Sequence, residues 1–489
     1  MENQDIRQAH RAAQWREQLR KEMSPKQRTA VERVKMPELA PDYRITCNEE
    51  VNQGLTAEMA VKEASRCLDC PNPQCVTGCP VGIEIPTFIK NIERGDFHAA
   101  AMTLKATSAL PAVCGRVCPQ EKQCESKCIH NKMGRPAVAI GYLERFAADY
   151  EREHGSGVAP ECAPANGIKV AVVGSGPAGL AFAGDMAKWG YDVTVYEALH
   201  EIGGVLKYGI PEFRLPNKVV DVEIDGLRKM GVKFEPNCII GKTLSYEDLH
   251  QMGVKGIFVA SGAGLPRFMN IPGENLNGVM SSNEFLTRVN LMGANKKEED
   301  TPVLHGDNVA VIGGGNTAMD SVRTARRMGA KNVMLIYRRS EEEMPARLEE
   351  VHHAKQEGIN FMTLHNPIEY TGDEKGHVRM MKLQRMELGE PDASGRRSPV
   401  AVEGAVTEVP MDMVIVSVGV SPNPLIPNAI PSLEISRRGT IVVNEDTMQS
   451  SLADLYAGGD IVRGGATVIL AMGDGRRAAA GMHKALSEK

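Results

Sequence analysis

Two segments about 140 residues apart repeat one texture, and they constrain the fold more than any other feature of the chain. IKVAVVGSGPAGLAFAGDMAKWGYDVTVYEA and NVAVIGGGNTAMDSVRTARRMGAKNVMLIYRRS each run from an apolar strand through a glycine turn into a helix and out to a second strand. Such a unit makes its two strands parallel neighbours and leaves the glycine turn at the carboxyl edge of the sheet, where ligands bind. A chain of 489 residues also exceeds the roughly 250 to 300 that one core supports, so two separate sheets are expected.

In the first unit the glycines are Gly174, Gly176 and Gly179, with Pro177 and Ala178 between them, and Glu197 ends the next strand 18 residues past the last glycine. The first glycine permits the turn, the second lets backbone approach a pyrophosphate, and the third lets helix and strand lie close. The acid accepts from a ribose hydroxyl. The second unit has Gly313, Gly315, Asn316, Thr317 and Ala318, but Arg338 and Arg339 stand where the first unit has its carboxylate. An acid there repels a 2′-phosphate and a guanidinium binds one, so this site is expected to take NADPH. The other site then holds FAD, because a nicotinamide and a flavin exchange a hydride whereas two nicotinamides have no useful joint chemistry. Near the C-terminus, YAGGD places Gly459 and Asp460 after a short strand, within reach of a flavin's ribityl chain. The following glycine-rich stretch, with Thr467, suits a helix N-terminus beside the ring. This tail holds no new strand–helix–strand unit, so it is expected to complete the first domain after the second has been inserted into it.

Eight of the eleven cysteines fall between 61 and 150. Cys67, Cys70, Cys75 and Cys79 follow C-x2-C-x4-C-x3-C-P, close to a ferredoxin run whose fourth cysteine serves a second cluster. Cys114, Cys118, Cys124 and Cys128 follow, again with a proline after one cysteine. Structural zinc sites use paired C-x2-C elements, and only Cys67 and Cys70 fit that spacing, so two [4Fe-4S] clusters are expected. This segment reads as a small helical domain held by its metal and not by a large apolar core. The N-terminus is charged throughout and lacks an apolar signal region, which points to a cytoplasmic protein whose thiols are reduced. A net charge of −5 gives no basic field for nucleic acid, and no apolar run approaches membrane-spanning length.

The expected class is α/β, with two Rossmann-like dinucleotide-binding domains, one inserted in the other, behind an α-helical iron-sulfur domain. The expected division is 1–60 for a polar helical arm and connector that packs on something else and 61–150 for the cysteine domain. FAD-binding residues then occupy 165–284, NADPH-binding residues 285–410, and the remainder of the FAD domain 411–489.

ASRCLDCPNPQCVTGCP, LPAVCGRVCPQEKQCESKC, GSGPAGL, EIGGVLKYGIPEFRLP, GGGNTAMD and YRRSEEEMPAR occur in that order. Together they resemble the small subunit of NADPH-dependent glutamate synthase and its relatives over about residues 40 to 485. The resemblance implies one cluster on Cys67, Cys70, Cys75 and Cys128. It implies another on Cys79, Cys118, Cys124 and a non-cysteine ligand at Glu144, with Cys114 a free thiol. The cysteine count alone enlists Cys114 and leaves Glu144 as a helix-surface acid. The resemblance also adds Gly204 and Leu206 to the flavin site. It implies that NADPH gives hydride to FAD and that electrons leave singly through the clusters, with no acid-base residue. The acceptor is a second subunit: the glutamate synthase large subunit or, in the alternative, a small flavin and [2Fe-2S] subunit of a bifurcating NADH-dependent ferredoxin:NADP oxidoreductase. A thioredoxin-reductase chemistry is disfavoured because residues 285–410 contain no cysteine.

Overall fold

The computed structural model describes residues 2–155 and 160–488. Between Ala57 and His154 the chain is helical, and the helix starts follow from local chemistry. Thr56 accepts from the Met59 amide at 3.3 Å, Asp96 accepts from the Ala99 amide at 3.0 Å, and Pro86 and Pro111 sit in first turns where no amide is needed. Helix Ile85–Glu93 places Ile85, Phe88, Ile89 and Ile92 at helical spacing, and all four are buried.

The first sheet has five parallel strands in the order Leu455–Ala457, Val254–Val259, Lys169–Val173, Asp192–Tyr196, Lys233–Glu235. An edge strand from the C-terminal tail thus closes a sheet begun near residue 169. The second sheet runs Val279–Ser281, Met413–Val416, Asn308–Ile312, Asn332–Tyr337, Asn360–Thr363, also parallel. KVAVV and NVAVI read as continuous apolar runs because both faces of a parallel sheet are covered by helices.

Two expectations need correction. The strand in MDMVIVSVG, placed in the 411–489 portion of the first domain, lies inside the second sheet, next to Asn308–Ile312. Val279–Ser281, placed in the first domain, pairs with it. Residues 411–416 and 279–281 therefore complete the inserted sheet. The chain enters and leaves the insertion through a two-stranded antiparallel ribbon, Leu265–Pro266 with Val420–Ser421. The cysteine region also does not lack an apolar core. Ile89, Leu104, Val113 and Phe146 belong to one buried cluster with Leu180, Phe182 and Met472 of the first nucleotide domain, so the helices have hydrophobic support besides any metal.

The return from Asn360–Thr363 to Met413–Val416 is a three-stranded antiparallel meander, His365–Gly372, Val378–Pro391 and Arg397–Pro410. The arm of residues 1–60 packs on both neighbours. Arg16 and Arg20 pair with the fully buried Asp69, between Cys67 and Cys70, at 2.5 and 2.6 Å. Arg44 pairs with Glu357 of the second domain at 2.9 Å.

Candidate functional site

Around the first glycine turn, each glycine has the geometry its role requires. Gly174 has φ +102°, and a Cβ there would stand 2.5 Å from the Ala260 carbonyl. A Cβ on Gly179 would stand 2.1 Å from the Gly174 carbonyl, whereas one on Gly176 would meet nothing within 4 Å, so that backbone is open to a ligand. Pro177 opens the helix Pro177–Lys188. Glu197 is buried and takes the Ser175 amide at 2.9 Å, its hydroxyl at 2.5 Å and the Leu199 amide at 2.9 Å. These bonds hold an anion with acceptor capacity left for ribose hydroxyls.

Gly204, at φ +55°, brings its loop to the Gly176 backbone, where an added Cβ would lie 3.0 Å from the Gly176 Cα. Leu206 contributes no side chain to the site; it is fully buried in the core. Gly459, at φ +75°, lies against Ala178 and donates to Asp474 at 3.0 Å. Burial pushes the neighbouring Asp460 carboxyl up to about 6. Thr467 caps the helix Val468–Ser487, whose first turn faces the same region. The open glycine loop, two helix N-termini and a held acid fit FAD.

The second turn repeats the device with a different rim. Gly313, at φ +145°, would carry a Cβ 2.3 Å from the Ser417 carbonyl, and Gly315 is nearly open. Ala318 is fully buried, and Asn316 accepts from the Arg347 amide at 2.9 Å. A cleft of about 660 Å³ begins here and is lined by Gly315, Thr317, Arg338, Arg339 and, unforeseen from sequence, Arg267 and Arg396. Among the described residues no carboxylate lines it. Arg338 is exposed. Arg339 is buried, pairing with Asp392 at 2.5 Å and donating to the Arg397 carbonyl at 2.7 Å. A cationic cleft at the end of the second strand fits a nicotinamide dinucleotide carrying an extra phosphate.

Among the described residues, no three His, Cys, Asp or Glu side chains approach closely enough for a single metal ion. The thiols instead form two looser groups. Cys75 feels the charges of Cys67, Cys128 and Cys70, and Cys70 feels that of Cys128. Cys79 feels Glu144 and Cys118, and Cys124 feels Glu144, Cys118 and Cys79. Cys114 belongs to the second group as well, beside Cys118, with its sulfur 3.5 Å from the Met472 sulfur. Burial pushes the Cys67 and Cys79 thiols up to about 11, so these groups ionise only with a compensating cationic partner. Glu144 is 5% exposed, and its buried Oε1 has no hydrogen-bond partner; burial, then the charge of Glu223, push its carboxyl up to about 8. An orphaned buried carboxylate oxygen set among thiols is a donor set without an internal partner, and in kind and number these residues fit a polynuclear iron-sulfur group.

The second cysteine group adjoins both nucleotide sites. The Pro80 carbonyl lies on Gly473 of the helix Val468–Ser487, 3.0 Å from where a Cβ would stand. Gln123 donates to Thr467 at 3.4 Å, and Arg476 reaches the Val81 carbonyl at 2.8 Å. From the other side Arg347 donates to the Arg116 carbonyl and, at 3.1 Å, to Gln120, and its charge reaches Cys118. Arg347 lies in the YRRSEEEMPAR signature but carries no motif chemistry of its own, so sequence reasoning missed it.

Residues 44–156 match a family described as dihydropyrimidine dehydrogenase domain II, 4Fe-4S cluster. Residues 168–475 match the pyridine nucleotide-disulphide oxidoreductases. The glutamate synthase [NADPH] small chain of Azospirillum brasilense is 37% identical over 441 residues, covering 89% of this chain and 90% of its own. That of Escherichia coli K12 is 37% identical over 440 residues, covering 88% and 93%. The NADPH-Fe(3+) oxidoreductase subunit beta of Geobacter sulfurreducens is 37% identical over 448 residues, covering 86% and 65%. Mycobacterium tuberculosis FprA in complex with NADPH superposes with a TM-score of 0.56 over 66% of this chain and 85% of its own, at 21% identity, a likeness of fold alone. The match along nearly the whole length, with the glycine turns and cysteine groups in place, shows that the chain belongs to the glutamate synthase small-chain family of NADPH-dependent flavoprotein oxidoreductases with a 4Fe-4S domain.

Proposed function

We propose that this chain draws electrons from NADPH and passes them through FAD and two [4Fe-4S] clusters to a partner subunit, as a glutamate synthase small subunit. The observation that carries the reading is the partition of the cysteines into two groups, the second of which packs on the helix that also borders the flavin cradle. Cys67, Cys70, Cys75 and Cys128 would hold one cluster. Cys79, Cys118, Cys124 and Glu144 would hold the other, leaving Cys114 a free thiol against Met472. The orphaned Glu144 oxygen supports that choice over Cys114, whose sulfur has a neighbour.

When bound, the flavin supplies the conversion of a two-electron hydride into single electrons, and the clusters accept those singly. The chain's own residues bind, orient and exclude water. Gly174, Gly176, Pro177, Ala178 and Gly179 shape the pyrophosphate turn, Glu197 receives the ribose, and Gly204, Gly459, Asp460 and Thr467 frame the rest of the flavin pocket, with Leu206 packed in the core behind it. Gly313, Gly315, Asn316, Thr317 and Ala318 shape the NADPH turn, with arginines toward the 2′-phosphate. No side chain is assigned to acid-base work; the proton left behind when the electrons depart singly goes to solvent. Among the described residues no helix is long and apolar enough to cross a membrane, and we place the protein in the cytoplasm with its partner.

The partner subunit is tested by anaerobic mixing of the reduced holoprotein with a glutamate synthase large chain. NADPH-dependent glutamate formation supports the assignment. NADPH oxidation without glutamate, together with copurification of a small flavin and [2Fe-2S] subunit, would move it to the bifurcating class.

A further inference from the structure

The two arginines that follow the second strand are not equivalent, although the sequence presents them as a pair. Arg338 is exposed on the wall of the cleft and has no hydrogen-bond or ion-pair partner among the described residues. Arg339 is 5% exposed, and its fork is engaged by the Asp392 carboxylate at 2.5 Å and the Arg397 carbonyl at 2.7 Å. Asp392 lies in the turn that joins the two long meander strands, Val378–Pro391 and Arg397–Pro410, and Arg397 opens the second of them.

That turn is internally braced. Asp392 accepts from the Ser394 amide at 2.8 Å and from its hydroxyl at 2.5 Å, and the Asp392 amide donates to the Arg396 carbonyl at 2.7 Å. The next strand start is pinned as well, with Arg397 reaching Glu343 at 2.5 Å. The outcome is that Arg396 lines the same cleft as Arg338. Its Nε is held by the Ser394 hydroxyl at 2.9 Å, which leaves the terminal guanidinium nitrogens available.

We infer that Arg396, carried in by the meander turn, is the second cation of the 2′-phosphate site, with Arg338 the first and Arg339 the positioning residue that fastens the turn to the sheet. The inference rests on the NADPH reading of this cleft and changes which residues do the reading. A phosphate gripped from two separate segments is recognised by geometry as well as charge, since each guanidinium donates from its own direction. The meander, which a bare strand–helix–strand unit lacks, thereby becomes part of the cofactor site. Arg339, buried and already paired, orders the turn before any ligand arrives.

The test is calorimetric binding of 2′,5′-ADP and of 5′-AMP to the holoprotein, neither probe needing turnover. The wild type is expected to prefer 2′,5′-ADP. Arg396→Gln is expected to weaken 2′,5′-ADP by about tenfold or more, the worth of a charged hydrogen bond, and to leave 5′-AMP unchanged. Asp392→Asn is expected to weaken 2′,5′-ADP selectively, because the turn loosens, while thermal unfolding shows the domain folded. A wild-type preference that survives Arg396→Gln intact would overturn the inference and leave the NADPH reading standing. Tighter 2′,5′-ADP binding in Asp392→Asn would make Arg339 the ligand, restrained by its pair, and would likewise overturn it. A wild type that binds both probes equally would remove the reading and the inference together.

Discussion

The first nucleotide domain shares one apolar core with the cysteine helices, running from Ile89 and Phe146 to Phe182 and Met472, while the second keeps a core of its own and meets its neighbours through buried ions. Arg214 of the first domain reaches Asp320 at 2.8 Å and Glu350 at 3.1 Å. Arg323 bonds Glu350 and, at 2.8 Å, Glu357, which also takes Arg44 and Arg327. Phe213 lies under Arg323 and Arg327 at 4.6 and 3.9 Å. The difference fits the tasks proposed for the two domains. A resident flavin must keep a fixed relation to the cysteine groups, and interdigitated apolar side chains hold position tightly. A donor that enters and leaves needs its domain oriented, and a directional ion network supplies orientation.

The contrast can be broken most forcefully at Glu357. Glu357→Ala leaves three guanidinium groups without their shared anion and is expected to destabilise the second domain's seating by about 3–5 kcal/mol. Chemical denaturation followed by flavin and protein signals should then separate into two transitions, and a single unshifted transition would show that the network does not hold the domain. Next comes the rim of the NADPH cleft, where Arg338→Glu should weaken NADPH by about 100-fold, through loss of a charged bond and gain of repulsion, with little change for NADH. Equal losses for both cofactors in steady-state kinetics would contradict the assignment. The third fingerprint position sharpens the comparison further. Gly179→Ala sets a Cβ 2.1 Å from the Gly174 carbonyl and should cost about 1–3 kcal/mol and part of the flavin content. The second unit already carries alanine there, and Ala318→Gly should cost only about 1 kcal/mol.

Acid distinguishes the two attachments as well. Burial would raise Glu350 and Glu357, but Arg323 and its neighbours override it and hold both at about 2, below the ordinary 4.5. The unfolded chain therefore protonates first as pH falls. The stability these carboxylates contribute is complete above about 4.5 and is lost progressively toward about 2. Pepsin digestion across that range should cut the second domain before the flavin is released.

The glycine turns were legible because their spacing is the mechanism: the close approaches at Gly174, Gly179 and Gly313 leave no room for a side chain. The exchange of Glu197 for arginine was legible for the same reason, being local. The pairing of Arg339 with Asp392 was not, since the two lie 53 positions apart and meet only through the meander. The meander leaves only a trace in the alternation of VRMMKLQRMELGEP and the turn DASG, weaker than the strand–helix–strand texture before it. Short strands such as Val279–Ser281 carry too few residues to declare a sheet, so sequence pattern alone puts the domain boundary beyond it. Glu144 came from resemblance alone, because a carboxylate on a helix has no spacing signature.

Two clusters, one of them completed by a carboxylate, set a definite iron content and a definite number of reducible centres. Iron and sulfide analysis of anaerobically reconstituted protein, joined to spin resonance after NADPH reduction, tests it directly. About eight irons per chain and two reducible centres are expected, with Glu144→Ala altering only one centre's signal and Cys114→Ser altering neither. About four irons or fewer, or a normal second centre in Glu144→Ala that is lost in Cys114→Ser, would contradict it.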